Sequence, residues 1–187
     1  MTKRLFDLLI CLVALCIFVL PMGIIAIAVW ISSKGPILYW SKRVGRENKA
    51  FQMPKFRTMQ VDTPILPTHL MGNPDDYLTP IGSFLRRSSL DELPQLWCIL
   101  RGEMSVVGPR PALANQNDLI DARTSKGIHH LKPGLTGWAQ VNGRDEIPLE
   151  KKVELDYDYL GKKSLIFDAY VVLLTFYKVV KREGVQH

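Results

Sequence analysis

The chain has 187 residues, enough for one domain with a modest core and too few for a second catalytic domain. Its formal charge of +6 and pI near 9.3 call for an anionic partner: nucleic acid, lipid headgroup or phosphorylated substrate. Cys11, Cys16 and Cys98 are odd in number and form neither a CxxC pair nor a metal-ligand spacing, while His69, His129, His130 and His187 are scattered and read as surface or core histidines.

From Leu8 to Ile31 no residue is charged, a run long enough to cross a hydrocarbon core of about 30 Å as a helix. Its exit, Ser32-Ser33-Lys34, does not resemble a signal-peptide cleavage site, so the segment is expected to stay in the mature protein. Both flanks are basic, with Lys3 and Arg4 before it and Lys34, Lys42, Arg43 and Arg46 after it, which favours both ends on the cytoplasmic side. Pro21 near the middle lacks an N–H and bends a helix. Leu8 to Leu20 makes about 20 Å of helix and Met22 to Ile31 about 15 Å, so each arm reaches partway through a bilayer. These features fit a re-entrant hairpin, and a kinked spanning helix fits them equally on physics alone.

Beyond Gly35-Pro36, Ile37 to Trp40 and Phe51 to Met59 read as short strands or extended loops. Val61 to Pro80 is Pro-rich with Gly72-Asn73 and reads as a surface loop. Ile81 to Arg87 and Leu90 to Leu100 have helical spacing, with Ser88-Ser89 as cap candidates. Gly102 to Pro111, Lys132 to Gly137 and Asn142-Gly143 read as turns and loops, and Ile147 to Leu160 as a charged helix. In Ser164 to Arg182, the residues Asp168, Thr175, Lys178 and Arg182 form one narrow polar stripe on an otherwise apolar helix, which suits the membrane interface.

Arg86-Arg-Ser-Ser-Leu-Asp-Glu-Leu-Pro94 concentrates two cations, two hydroxyls and two adjacent carboxylates at a helix start, where anions are favoured. Asp91 and Glu92 project in different directions and can serve two tasks, one attacking phosphorus and the other holding a metal. The competing reading is a capping box from Ser89 to Glu92. Lys55, Arg57, Arg110, Lys132 and Arg144 each stand beside a Pro, Gly or aromatic residue, which fits convergence on a phosphate-rich ligand. Neither a Walker A loop nor a GxGxxG fingerprint is present.

Read together, these motifs resemble the monotopic phosphoglycosyl transferases, or bacterial sugar transferases, nearly end to end. The resemblance rests on Lys3-Arg4 and Asp7 before the proline-broken helix, Lys55 to Met59, Leu90 to Leu96, Gly102 to Pro111 and Lys132 to Arg144. It departs at Cys98, where the family commonly carries Asn, and in the loop Val61 to Asn73.

The resemblance implies a re-entrant hairpin over residues 1–34 and a catalytic domain over 35–187, together an α-rich α/β fold in a membrane-embedded single domain with amphipathic interfacial helices. It implies that Asp91 attacks the sugar-bearing phosphate of a UDP-sugar and expels UMP, and that polyprenyl phosphate then takes the phosphosugar. Glu92 would help bind Mg²⁺. Arg110 of the Gly-Pro-Arg-Pro turn would hold the donor nucleotide or its phosphates, Arg144 would be a further phosphate contact, and Lys55, Arg57, Arg86, Pro109 and Asp156 are further substrate-binding residues by the same comparison. The expected setting is the cytoplasmic face of a bacterial inner membrane, with membrane lipid and not nucleic acid as the other partner. Two rivals are a non-catalytic scaffold binding anionic lipid and a glycosyltransferase that releases UDP; against the latter, Asp156-Tyr-Asp158 is the only DxD string and falls on an expected helix.

Overall fold

The computed structural model describes residues 2–61, 63, 74–143 and 147–181. Arg144, most of the loop from Val61 to Asn73, Arg182 and His187 lie outside them. The fold is helix-rich, with two small sheets and one long apolar N-terminal helix, α1 (Thr2–Ser32). Among the described residues, α1 is the one helix long and apolar enough to cross a membrane.

Pro21 lies inside α1 and does not end it. Losing one N–H removes only the bond to the Ile17 carbonyl, and the flanking turns continue. Asp7, Cys11, Ile25 and Val29 are buried along one face, while Leu12, Leu20, Ile24 and Ile31 are exposed, Leu20 to 77%. Each end is tied to the globular body. Arg4 donates to the carbonyls of Ile99 and, at 2.7 Å, Leu100, near the end of helix α3 (Leu96–Arg101). Asp7 accepts from Ser105 Oγ at 2.9 Å and from the Val106 N–H at 3.0 Å.

After α1 come β1 (Leu38–Val44) and β2 (Ala50–Phe56), an antiparallel pair in the register Leu38 to Phe56 through Val44 to Ala50. Pro54 is tolerated because β2 is an edge strand of the order β2-β1-β4, where β4 is Ala112–Leu113. Helix α2 (Gly82–Ser88) leads into a 3₁₀ segment, Leu90–Gln95, and then α3. The expected Lys132 to Gly137 loop contains a strand, β5 (Gly134–Thr136), running parallel to β3 (Ser105–Val107). Glycine permits this pairing: a Cβ on Gly134 would stand 2.1 Å from the Gly108 nitrogen. Helices α4 (Asn117–Ser125), α5 (Trp138–Val141) and α6 (Leu149–Lys162) complete the body.

The last helix, α7 (Leu165–Lys181), turns much of the expected polar stripe inward. Asp168 is 1% exposed, bonded by Lys3 Nζ at 2.6 Å and Tyr159 Oη at 2.7 Å, and Thr175 meets Thr136 at 2.7 Å. Ile166, Leu173 and Phe176 face outward. The central core joins Cys11, Met53, Leu96, Ile99, Met104, Val107 and Val171, so α1 and α7 both share it. Cys98 is fully buried with its Sγ 3.5 Å from the Gln52 carbonyl, and burial pushes its thiol up to about 12, an unreactive packing residue at neutral pH.

Candidate active site

The turn from α2 into the 3₁₀ segment is made at Ser89, whose φ of 56° is left-handed and which forms no side-chain cap bond. The capping box is therefore not formed, and the Glu92 side chain points elsewhere. Glu92 Oε1 takes Lys55 Nζ at 2.7 Å and an Arg110 guanidinium nitrogen at 3.1 Å. Lys55 comes from β2 and Arg110 from the loop after β3, so three separated pieces of chain meet at one carboxylate. Asp91 is 6% exposed, with Lys55 Nζ 3.8 Å from its Oδ2.

The two carboxyls are driven apart. Burial pushes Asp91 up to about 6, and the charge of Glu92 adds to this, while Lys55, Arg86 and Arg110 oppose it. Burial also raises Glu92, yet Lys55 and Arg110, acting as charges and as hydrogen-bond donors, outweigh it and hold Glu92 far below the usual carboxylate range. The two cations thus favour the ionised form of Glu92, while burial leaves Asp91 the more basic of the two carboxyls. Glu92 is a carboxylate that could help hold a divalent cation such as Mg²⁺ in exchange for one of the two side-chain cations on its Oε1.

Arg110 is fixed by its surroundings. Prolines flank it, the Gly134 N–H bonds the Pro109 carbonyl at 2.9 Å, and Arg123 donates to the Arg110 carbonyl at 2.8 Å. Asp156, 1% exposed, accepts Arg123 Nε at 2.9 Å and a second guanidinium nitrogen at 2.6 Å. Asp156, expected to contact substrate, instead reaches the site through Arg123. Arg86 donates from Nε to Thr58 Oγ1 at 3.1 Å and adds its charge near Asp91.

Arg57 stands elsewhere than expected. It is 5% exposed and donates to the Ser33 and Lys34 carbonyls just past α1, and to Ser33 Oγ at 2.9 Å, so its two terminal guanidinium nitrogens serve the end of α1. Lys132 also stands apart, near Arg4 at Gly102, where burial and the Arg4 charge lower its pKa. Of the five cations expected to converge, Lys55 and Arg110 meet at Glu92, and Arg144 lies outside the described residues.

Sequence reasoning missed Arg123, which sits in a solvated-looking helix beside Asp121 and gave no signal. It also missed Gln95, whose buried Nε2 has no hydrogen-bond partner among the described residues and which lines a cleft with Arg43, Met53, Glu92, Arg110 and Gly134. An amide three residues beyond Glu92, where a capping residue has no use for it, was the available signal.

A sequence model of the bacterial sugar transferase family matches residues 1–182. The UDP-glucose:undecaprenyl-phosphate glucose-1-phosphate transferase of Xanthomonas campestris pv. campestris is 42% identical over 83% of this chain and 34% of its own length. The protein of the same name from Escherichia coli (strain K12) is 40% identical over 94% of the chain and 39% of its own length. This chain therefore spans well under half the length of those two relatives. The uncharacterized sugar transferase EpsL of Bacillus subtilis (strain 168), 40% identical, is matched over 98% of this chain and 90% of its own length. On the family match and these identities, the chain belongs to the bacterial sugar transferases.

Proposed function

We propose that the protein transfers a sugar 1-phosphate from a UDP-sugar to undecaprenyl phosphate, releasing UMP, through an aspartyl phosphosugar at Asp91. The observation that carries this reading is the buried Asp91 carboxyl beside a Glu92 clamped by Lys55 and Arg110. Lys55 and Arg110 reach phosphate oxygens when they turn from Glu92, and guanidinium binds phosphate bidentately. Asp91 Oδ attacks the sugar-bearing phosphorus, and the bond from that phosphorus to the UMP oxygen breaks. An oxygen of undecaprenyl phosphate then attacks the same phosphorus, and the bond to Asp91 breaks, restoring the carboxylate. When bound through Glu92, Mg²⁺ supplies charge neutralisation at the phosphates.

The membrane placement rests on α1 and α7. Both pack an inner face against the core and still expose a row of large apolar side chains on the outer face, surface that suits lipid. Arg4 and Arg57 tie opposite ends of α1 to the same globular body. A straight span would carry those ends to opposite faces, so the reading is a re-entrant helix with the body in the cytoplasm. The substrates named for the Xanthomonas and Escherichia relatives support undecaprenyl phosphate as acceptor and UDP-glucose as the first donor to test.

The test is release of UMP from a panel of UDP-sugars, with and without undecaprenyl phosphate. Acceptor-dependent UMP is expected for at least one sugar. Release of UDP would identify a different transferase chemistry, and no nucleotide product from any donor would favour the scaffold.

A further inference from the structure

Glu47 lies in the turn between β1 and β2, and His129 and His130 lie in the 3₁₀ turn Ile128–His130, distant in sequence but adjacent in space. The β turn holds Glu47 and Asn48 at φ 56° and 55°, left-handed values unusual for residues with a Cβ. Bonds from the Gly45 N–H to the Lys49 carbonyl at 2.9 Å and from Asn48 Nδ2 to Thr124 Oγ1 at 3.0 Å keep it there. His130 Nδ1 lies 3.1 Å from both Glu47 carboxylate oxygens. The His129 and His130 rings are 3.9 Å apart, and the buried His129 Nδ1 has no hydrogen-bond partner among the described residues. One donor atom from each of the three side chains lies within 4.8 Å of the other two.

From this cluster we infer a second cation site, separate from Asp91 and Glu92, that takes a borderline divalent ion of the zinc class through Glu47, His129 and His130. Ligands about 2.0–2.1 Å from a tetrahedral zinc stand roughly 3.3 Å from one another. The Glu47–His130 separation is already close to that, and the third donor closes by a side-chain rotation. Two imidazoles and one carboxylate favour zinc over Mg²⁺ or Ca²⁺, which prefer oxygen throughout. Three protein ligands leave a fourth position for water. Arg46 Nε, 3.5 Å from Glu47 Oε1, opposes a cation here and keeps the affinity below that of a structural zinc. Bound metal would clip the β1–β2 turn to the segment leading into β5. His129 also lines a cleft with Pro109, Arg110 and Arg123, so the clip braces the wall behind Arg110.

The test uses the full chain in detergent without an affinity tag, stripped by chelator and titrated with zinc chloride in excess Mg²⁺, read by calorimetry and by Tm. One saturable equivalent is expected, with a zinc-dependent rise in Tm. Glu47→Gln and His130→Ala, both at exposed side chains, should each weaken binding at least tenfold and remove the Tm shift, while Arg46→Gln should tighten it. The absence of saturable binding overturns the inference. So does zinc binding unchanged in both Glu47→Gln and His130→Ala, which would assign the ion to other groups such as Cys16 or Asp91 and Glu92. Neither readout uses transfer activity, so the result stands apart from the proposed reaction.

Discussion

Lys55 Nζ stands 2.7 Å from Glu92 Oε1. The same ammonium lies 3.8 Å from Asp91 Oδ2, so one cation serves both members of the carboxyl pair, tightly at Glu92 and loosely at Asp91. This asymmetry separates the two acidities, and several expectations depend on it.

Activity should fall as pH drops through about 6, because burial raises Asp91 to that value and the proposed attack by Asp91 needs the ionised form. Lys55→Met removes a charge that lowers the Asp91 pKa, so the acid limb should move to higher pH, with Lys55→Arg restoring part of the shift. Single-turnover UMP release against pH checks this. An unchanged limb in Lys55→Met would detach Lys55 from Asp91.

Asp91→Asn should abolish turnover yet stabilise the fold near pH 8. The folded pKa of Asp91, about 6, lies above its ordinary value of 3.8, so the stabilising contribution is full below about 4 and lost as pH rises through 6. Removing the ionisable group should therefore gain on the order of 3 kcal/mol at pH 8 and little near pH 4. Denaturant unfolding of both proteins at the two pH values measures the difference.

Arg123 acts on Arg110 through the backbone, and Asp156 acts through Arg123. Arg123→Lys keeps the charge but cannot span both partners, so KM for the UDP-sugar should rise about tenfold with a smaller change in kcat. Arg123→Ala strands the buried Asp156 and should cost about 3–5 kcal/mol of stability. Adding Asp156→Asn to Arg123→Ala should recover much of the stability but not the KM.

For topology, a cysteine at Thr2 in a chain carrying Cys16→Ala should react only with reagents that reach the cytoplasm. Labelling from outside would require α1 to span. Pro21→Leu restores the missing backbone bond and should shift part of the population toward that spanning arrangement.

The sequence made the local features legible: the apolar length of α1, the β1 and β2 strands, and the charged helix that became α6. Each rests on interactions within a few residues. The parallel pairing of β3 with β5 was not legible, because it joins segments separated by α4 and by turns whose glycines read as loop signals. The same reason hid the clustering of Lys55 and Arg110 on Glu92, and sent Arg57 to the expected phosphate site when its partners are Ser33 and Lys34. In α7 the polar spacing was visible but its direction was not, since it takes the tertiary contacts of Asp168 with Lys3 and Tyr159, and of Thr175 with Thr136, to show which face meets the protein.

The central claim is a covalent phosphosugar on Asp91, and intact-mass spectrometry of the protein mixed with its UDP-sugar in the absence of undecaprenyl phosphate tests it most directly. The account predicts a mass increase of one sugar phosphate that maps to Asp91, is discharged by undecaprenyl phosphate, and is missing in Asp91→Asn. An Asp91→Asn protein that still forms the adduct, or still turns over at a rate near that of the unaltered protein, would contradict it.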